Sequence, residues 1–374
     1  MVKYLLMVTL LAISGCQFKT ENLSQADVKN EIRHAKGLDI QTFDGYSVVT
    51  VSSPWPNSSK NYQYVLRKKD AQIPTSLVSL PTINVPVKSI VVTSTTHIPS
   101  LEMLGTWQTL VGFPHLDYIS SDKVRAHFEA GKVRELGVNQ NLNTELLVDM
   151  QPDVIIGYGI DNSNPTLENL KRNGLKVIIN GDWNEKTPLG KAEWIKLFGA
   201  LYGLEAKADS IFSKIESDYN QALAMAKKVT KRPTVLSGAL YENRWTLPQG
   251  DSWAALLIRD AGGKYLWADT KGTGSLTLSY EQVLEKAQNA DFWISPGYFR
   301  SMSEIEQNNP HYKKFKAFQA KNVFSFTNKT GKSGGVLYYE LGQNRPDLVL
   351  KDVIKVLHPE LLPNYQPFFF QRLP

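Results

Sequence analysis

The stretch PLGKAEWIKLFGALYGLEAKADSIFSKIESDYNQALAMAKKV, residues 188–229, decides how this chain is organised. Thr187 offers a hydroxyl to cap a helix start, and Pro188 suits the first turn, where its missing N–H costs nothing. After a soft break at Gly203, apolar residues recur in steps of three and four at Ala208, Ile211, Ile215, Tyr219, Ala222, Ala226 and Val229. That spacing is one buried stripe on a helix. From Leu204 to Val229 such a helix is about 39 Å long at about 1.5 Å per residue, roughly the span of two small domains side by side. The segment reads as one helical strut between lobes, the alternative being an ordinary amphipathic core helix.

The flanking sequence favours the strut. Before it, Lys88 to Ser94 reads as a short buried strand, Ile98, Leu101 and Leu104 as a helix ended by Gly105, and Leu110 to Gly112 as a strand. Glu145 to Met150 reads as a helix, Asp153 to Gly157 as a strand, Leu167 to Asn173 as a helix and Leu175 to Ile179 as a strand. After it, strands at Pro233 to Ser237, Asp291 to Ser295 and Val323 to Phe326 alternate with helices at Ser252 to Ala261, Glu281 to Lys286 and Leu348 to Leu357. This alternation implies parallel βαβ units with ligands at the carboxyl ends of the strands. Asn143-Thr-Glu145…Asp153-Val-Ile-Ile and Ser279-Tyr-Glu281…Asp291-Phe-Trp-Ile repeat one pattern: capping residue, Glu in the first turn, Asp, buried strand. The fold class is therefore α/β, two βα lobes with parallel sheets joined by one long helix. Strand-like runs at Tyr46 to Ser52 and Tyr62 to Arg67, after the Asp44-Gly45 turn signal, add a small N-terminal β meander.

At 374 residues, 42% apolar and 21% charged, the chain has the composition of a soluble protein with room for two cores. The net charge of +6, one less without Lys3, comes without a dense Lys/Arg block, and no nucleic-acid partner is expected. Lys3, the apolar run Tyr4 to Ile13, then Ser14, Gly15 and Cys16 form a charged start, a short apolar run and small residues before a cut. The run is too short to span a bilayer. LAISGC, residues 11–16, resembles a bacterial lipobox, which implies that the leader is removed and Cys16 carries lipid. Cys16 is the sole cysteine, so the mature chain has no disulfide and no thiolate-held metal or iron–sulfur site.

Lipobox, βα lobe, connecting helix and second βα lobe together resemble the substrate-binding lipoproteins of ABC importers for iron complexes and cobalamin. The resemblance runs from about Lys88 to Pro363 and is carried by KSIVVTSTTHIPSLEMLG, QPDVIIGYG and LSYEQVL. It implies a binding protein, not an enzyme. Its ligand is a metal chelate held between the lobes and its partners are the importer's membrane subunits. It also implies that Glu145 and Glu281 dock one lobe each onto those subunits. The expected segments are a leader at 1–16, tether and meander at 17–87, lobes at 88–187 and 231–374, and the connecting helix at 188–230. The protein is expected to be a monomer, anchored by lipid to a bacterial membrane and facing the periplasm or cell surface.

A chelate needs aromatic planes and a few placed charges. The strand-end loops of the first lobe offer Thr95, Thr96, His97, Tyr158, Asp182 and Trp183. Those of the second offer Tyr241, Arg244, Trp245, Trp267, Tyr298, Arg300, Lys329 and Tyr338. Arginines suit siderophore carboxylates or haem propionates because they pair bidentately. The remaining histidines lack ligand spacing, so no bare-metal site and no resident cofactor is expected. Thr330-Gly331-Lys332-Ser333 looks like the end of a phosphate-binding loop, but Phe326 stands where its first glycine is required. Gly157-Tyr-Gly159 lacks the third glycine of a dinucleotide fingerprint, and no G-x-S-x-G elbow is present. A ferric siderophore or haem is the expected ligand, with cobalamin the alternative. A chelatase or reductase on the same bilobal architecture is the enzyme-class rival, and the lack of cysteines speaks against redox chemistry.

Overall fold

The connecting segment is three helices in series, not one: Pro188–Glu193, Ile195–Tyr202 and Glu205–Ala226. Thr187 Oγ1 accepts the Gly190 N–H at 3.0 Å, as expected of the cap. Gly203 closes the second helix in the left-handed region at φ 65°. The third helix, 22 residues and about 33 Å long, is the strut. Its buried stripe is divided: Ala208, Phe212 and Ile215 belong to the amino-terminal core, while Tyr219, Ala222 and Ala226 belong to the carboxyl-terminal core. Phe212 takes the buried position expected of Ile211, which is half-buried beside it. This computed structural model describes residues 29–30, 32–159 and 165–374. The expected leader, its lipobox Cys16 and residues 17–28 of the expected tether lie outside the described residues.

Each lobe is a twisted sheet with helices packed on it. The first holds five parallel strands in the order Val177–Ile179, Val154–Gly157, Ile90–Val92, Leu110–Phe113 and Arg134–Glu135. Both faces are covered, which is why these strands read as apolar runs: Val92 and Ile156 enter one core, Val91 and Ile155 the other. The second orders Lys264–Tyr265, Thr234–Ser237, Phe292–Ile294 and Val323–Ser325 in parallel, with Gln371–Arg372 antiparallel at the edge. In each lobe the first strand lies inside the sheet, so strand order reverses beside its carboxyl end, where α/β sheets bind ligands. Those ends are Thr93 to Thr96 and Ser237.

The repeat seen in the sequence has a physical basis. Asp153 Oδ2 accepts the backbone N–H of Lys88 and Ser89, and Asp291 Oδ2 accepts that of Thr234. In return Ser89 Oγ and Thr234 Oγ1 accept the N–H of each aspartate. Each Asp ties the starts of two parallel strands, where no ladder partner exists.

The N-terminal sheet has five strands in sequential order, Lys29–Asn30, Leu38–Thr42, Tyr46–Ser52, Asn61–Lys68 and Thr82–Val85; the first four pair antiparallel as the expected meander, and the last runs parallel to its neighbour. Its inner face, including Val49, Val51, Leu66 and Ile83, is continuous with the core of the first lobe. Two buried carboxylates, Glu185 just before the first connecting helix Pro188–Glu193 and Glu193 at its end, hold the leading edge of this sheet. Glu193 accepts the N–H groups of Arg33, His34 and Ala35 at 2.6–2.9 Å, and Glu185 accepts those of Lys36 and Gly37 at 2.8 Å.

Candidate interlobe binding site

Between the carboxyl ends of the two sheets lies a cleft of about 550 Å³. The first lobe contributes Thr96 and Trp183, and the connecting helix Pro188–Glu193 contributes Lys191. The second lobe contributes hydroxyls at Ser237 and Ser295 and the rings of Trp253, Phe326, Tyr338 and Tyr339. Phe326 and Tyr338 stack with ring centroids 4.0 Å apart, and Trp253 continues the stack at 5.7 Å from Tyr338. Tyr339 also borders a second chamber of about 310 Å³ that is lined by Thr95, His115, Tyr118, Asn139 and Tyr158. Among the described residues lining the larger chamber, Lys191 supplies the one charge. Burial pulls its ammonium down to about 8 against the opposing pull of Asp182 and Glu185, while its Nζ donates to the Asp182 and Trp183 carbonyls at 3.2 and 2.5 Å.

Five expected residues thus stand on the two chambers: Thr96, Trp183 and Tyr338 on the larger, Thr95 and Tyr158 on the smaller. His97 and Asp182 lie beneath the cleft. The buried His97 ring faces Phe198 with Nε2 3.8 Å from Asp182 Oδ2, and Gln343 Nε2 donates to the same oxygen across the lobes at 2.9 Å. Neither His97 ring nitrogen has a hydrogen-bond partner among the described residues. Desolvation lowers its pKa, opposed by Asp182. Tyr298 is a rim residue, 73% exposed, with its ring 6.2 Å from that of Tyr339.

The rest stand away from the cleft. Arg244 and Trp245 begin a strand, Arg244–Pro248, paired with Ala239–Tyr241 through a turn at Glu242 and Asn243, both at positive φ. Alternation then points Trp245 inward, fully buried against Trp293, and leaves Arg244 and Tyr241 exposed. Trp267 is packed beside Tyr265 in the same core. Arg300 is exposed, its backbone N–H bonded to Glu304. Lys329 donates to the Phe368 carbonyl at 2.7 Å with its ammonium over that ring. Sequence reasoning missed Ser237 and Ser295, although both follow or end a strand and the carboxyl-end rule reaches them. Lys191, inside a helix, carries no such signal.

The Thr330-to-Gly335 loop, which imitated a phosphate loop, is a seam between the lobes. A Cβ at Gly331 would lie 2.6 Å from Ser120 Cα, and one at Gly335 2.6 Å from the Tyr118 carbonyl, so only glycine allows this approach. Next to it the buried Glu340 accepts the Ser120 N–H at 2.6 Å, and Asn344 donates to the Thr96 carbonyl at 2.8 Å. Desolvation pushes the Glu340 carboxyl up to about 7, with Glu102 adding and the Ser120 and Ser121 amides opposing. A raised carboxyl favours the packed state below its ordinary value, and that contribution is lost as pH rises through about 7. Glu340→Gln is therefore expected to match wild type in thermal melts near pH 4.5 and to exceed it at pH 8, by up to about 3 kcal/mol at 1.36 kcal/mol per unit. Equal melting at both pH values would contradict this assignment.

Glu145 and Glu281 occupy the same place in their lobes, the second residue of helices Thr144–Met150 and Tyr280–Ala287. Asn143 and Ser279 cap those helices, and Ser279 forms a reciprocal capping box with Gln282. Both glutamates are exposed.

A family model described as periplasmic binding protein matches residues 90–330. An uncharacterized lipoprotein of Methanocaldococcus jannaschii is 25% identical over 371 residues, covering 93% of this chain and 86% of that protein. Among solved structures, Helicobacter pylori CeuE with Ni(II) bound is similar at a TM-score of 0.56 and 20% identity, over 76% of this chain and 88% of that one. A periplasmic heme binding protein from Pseudomonas aeruginosa is similar at a TM-score of 0.56 and 15% identity, over 77% and 98%. At these identities the structures establish a shared fold.

Proposed function

Because the chain belongs to the periplasmic binding protein family, we propose that it captures an iron chelate, a ferric siderophore or haem, between its lobes and delivers it to an ABC importer. The observation that carries this reading is the cleft at the carboxyl ends of both sheets, walled by stacked rings and hydroxyls. Such walls suit a bulky, largely apolar ligand whose few polar groups set its orientation. The heme binding and nickel-bound proteins of the same fold support it. Within it, Thr96, Trp183 and Tyr338 contact the ligand, and Glu145 and Glu281 dock the lobes onto the membrane subunits. Lipid on Cys16 holds the protein at the outer side of a membrane, a reading that the relatives named lipoproteins support. Cobalamin is the second reading, favoured by the single charge lining the larger chamber: Arg244 and Arg300, expected for propionates or carboxylates, lie elsewhere.

Titration of purified protein with a ferric trihydroxamate, haem and cyanocobalamin, followed by tryptophan emission, tests the proposal. At least one is expected to bind at micromolar Kd or better, about −8 kcal/mol. Absence of any response to all three would overturn it.

A further inference from the structure

A second cavity, of about 600 Å³, opens between the N-terminal sheet and the carboxyl-terminal lobe. Trp55 and Asn57, in the connection between strands Tyr46–Ser52 and Asn61–Lys68, form one wall; Asn184 and Lys186 form the floor; Asp251 and Thr273 stand opposite. The same segments wall the aromatic cleft: Asn184 follows Trp183, Asp251 lies between Pro248 and Trp253, and Thr273 precedes Ser275 by two residues. Neighbouring residues of the same three segments thus line both cavities.

Both walls are held in place. Asn184 Nδ2 donates to the Ser53 carbonyl at 2.8 Å, and Trp55 is buried with its ring edge-on to Tyr62. Opposite, Asp251 and Gly272 exchange hydrogen bonds, with Asp251 N–H to the Gly272 carbonyl at 3.1 Å and Gly272 N–H to Asp251 Oδ2 at 3.0 Å. Gly250 N–H donates to Thr270 Oγ1 at 2.9 Å. With its walls tied in this way, the space is a built feature and not slack in a loop. Its chemistry differs from that of the cleft: amides at Asn57 and Asn184, a hydroxyl at Thr273, and charges of opposite sign at Lys186 and Asp251 offer donors and acceptors with no net charge.

We propose that this annex is a second subsite of the ligand cleft, built in part by the N-terminal sheet, that takes an uncharged, amide- or hydroxyl-bearing arm of a chelate whose apolar body lies against Trp183, Trp253 and Phe326. The inference rests on the chelate-binding function proposed above. The N-terminal wall, with Trp55 and Asn57, lies outside the residues 90–330 matched by the family model, and the rest of the lining lies within them.

Equilibrium dialysis tests it on wild type, Thr273→Trp and Lys186→Ala, both changes being at exposed positions. Thermal melts establish that each variant is folded. The arm-bearing probes are cyanocobalamin and a cyclic-peptide ferric trihydroxamate, and haem is the probe without such an arm. Thr273→Trp fills the annex and is expected to weaken an arm-bearing probe at least tenfold, Lys186→Ala severalfold, with haem binding unmoved. An arm-bearing probe that binds wild type and Thr273→Trp equally would overturn the annex and leave the cleft reading intact. Binding of haem alone would also overturn it. Failure of all three probes on wild type would remove the chelate reading itself, and the annex with it.

Discussion

Replacing Glu145 and Glu281 together by alanine is expected to abolish ligand uptake while leaving ligand affinity intact. The two carboxylates are exposed, one per lobe, at equivalent helix positions, and neither forms an ion pair among the described residues. The fold itself therefore gains little from them beyond the favourable placing of a negative charge at a helix start. In the docking role proposed above, a partner of two equivalent subunits would present the same basic pocket twice, and a two-lobed protein can answer with one carboxylate per lobe. Truncating one side of such a charge pair costs about 2–5 kcal/mol, and losing both ends productive docking. Uptake by cells carrying the double variant, together with pull-down of the membrane complex, checks this. Normal uptake would return both residues to helix capping alone.

The largest effect on stability is expected at Glu193. Its carboxylate is fully buried, receives three consecutive backbone N–H groups from residues 33–35 and pairs with Lys196 at 3.2 Å. Glu193→Ala leaves those three buried donors without an acceptor and removes one of the two carboxylate partners of the buried Lys196 ammonium, which costs about 3–5 kcal/mol. Urea unfolding of Glu193→Ala measures it, and a loss below about 1 kcal/mol would contradict the anchoring role. Lys196 retains a second partner, Asp209 at 3.0 Å, which moderates the loss.

Glu193 also marks where the sequence stops being legible. The strut, the parallel strands and the paired Asp153 and Asp291 were readable because each leaves a local pattern: a helical period, an apolar run, a repeated cap-Glu-Asp spacing. The docking of the N-terminal sheet was not, because a carboxylate that binds backbone amides some 160 residues earlier has no local signature. The site divides in the same way. Thr95, Thr96 and Tyr158 follow strands and were found by the carboxyl-end rule. Trp245 was misplaced because a two-residue turn starts an antiparallel strand just before it, and alternation then buries the side chain. Lys191 and Gln343 reach the cleft from helical or turn positions that only the packing of the lobes brings together.

The central claim, that a chelate binds between the lobes, is tested most directly by tryptophan emission in wild type and in the double variant Trp183→Phe with Trp253→Phe. Both indoles line the cleft, whereas Trp194, Trp245 and Trp293 are buried in the cores. The account predicts that a bound chelate quenches wild-type emission and that most of the quenching disappears in the double variant. Quenching of the same amplitude in both proteins would place the ligand elsewhere and contradict it.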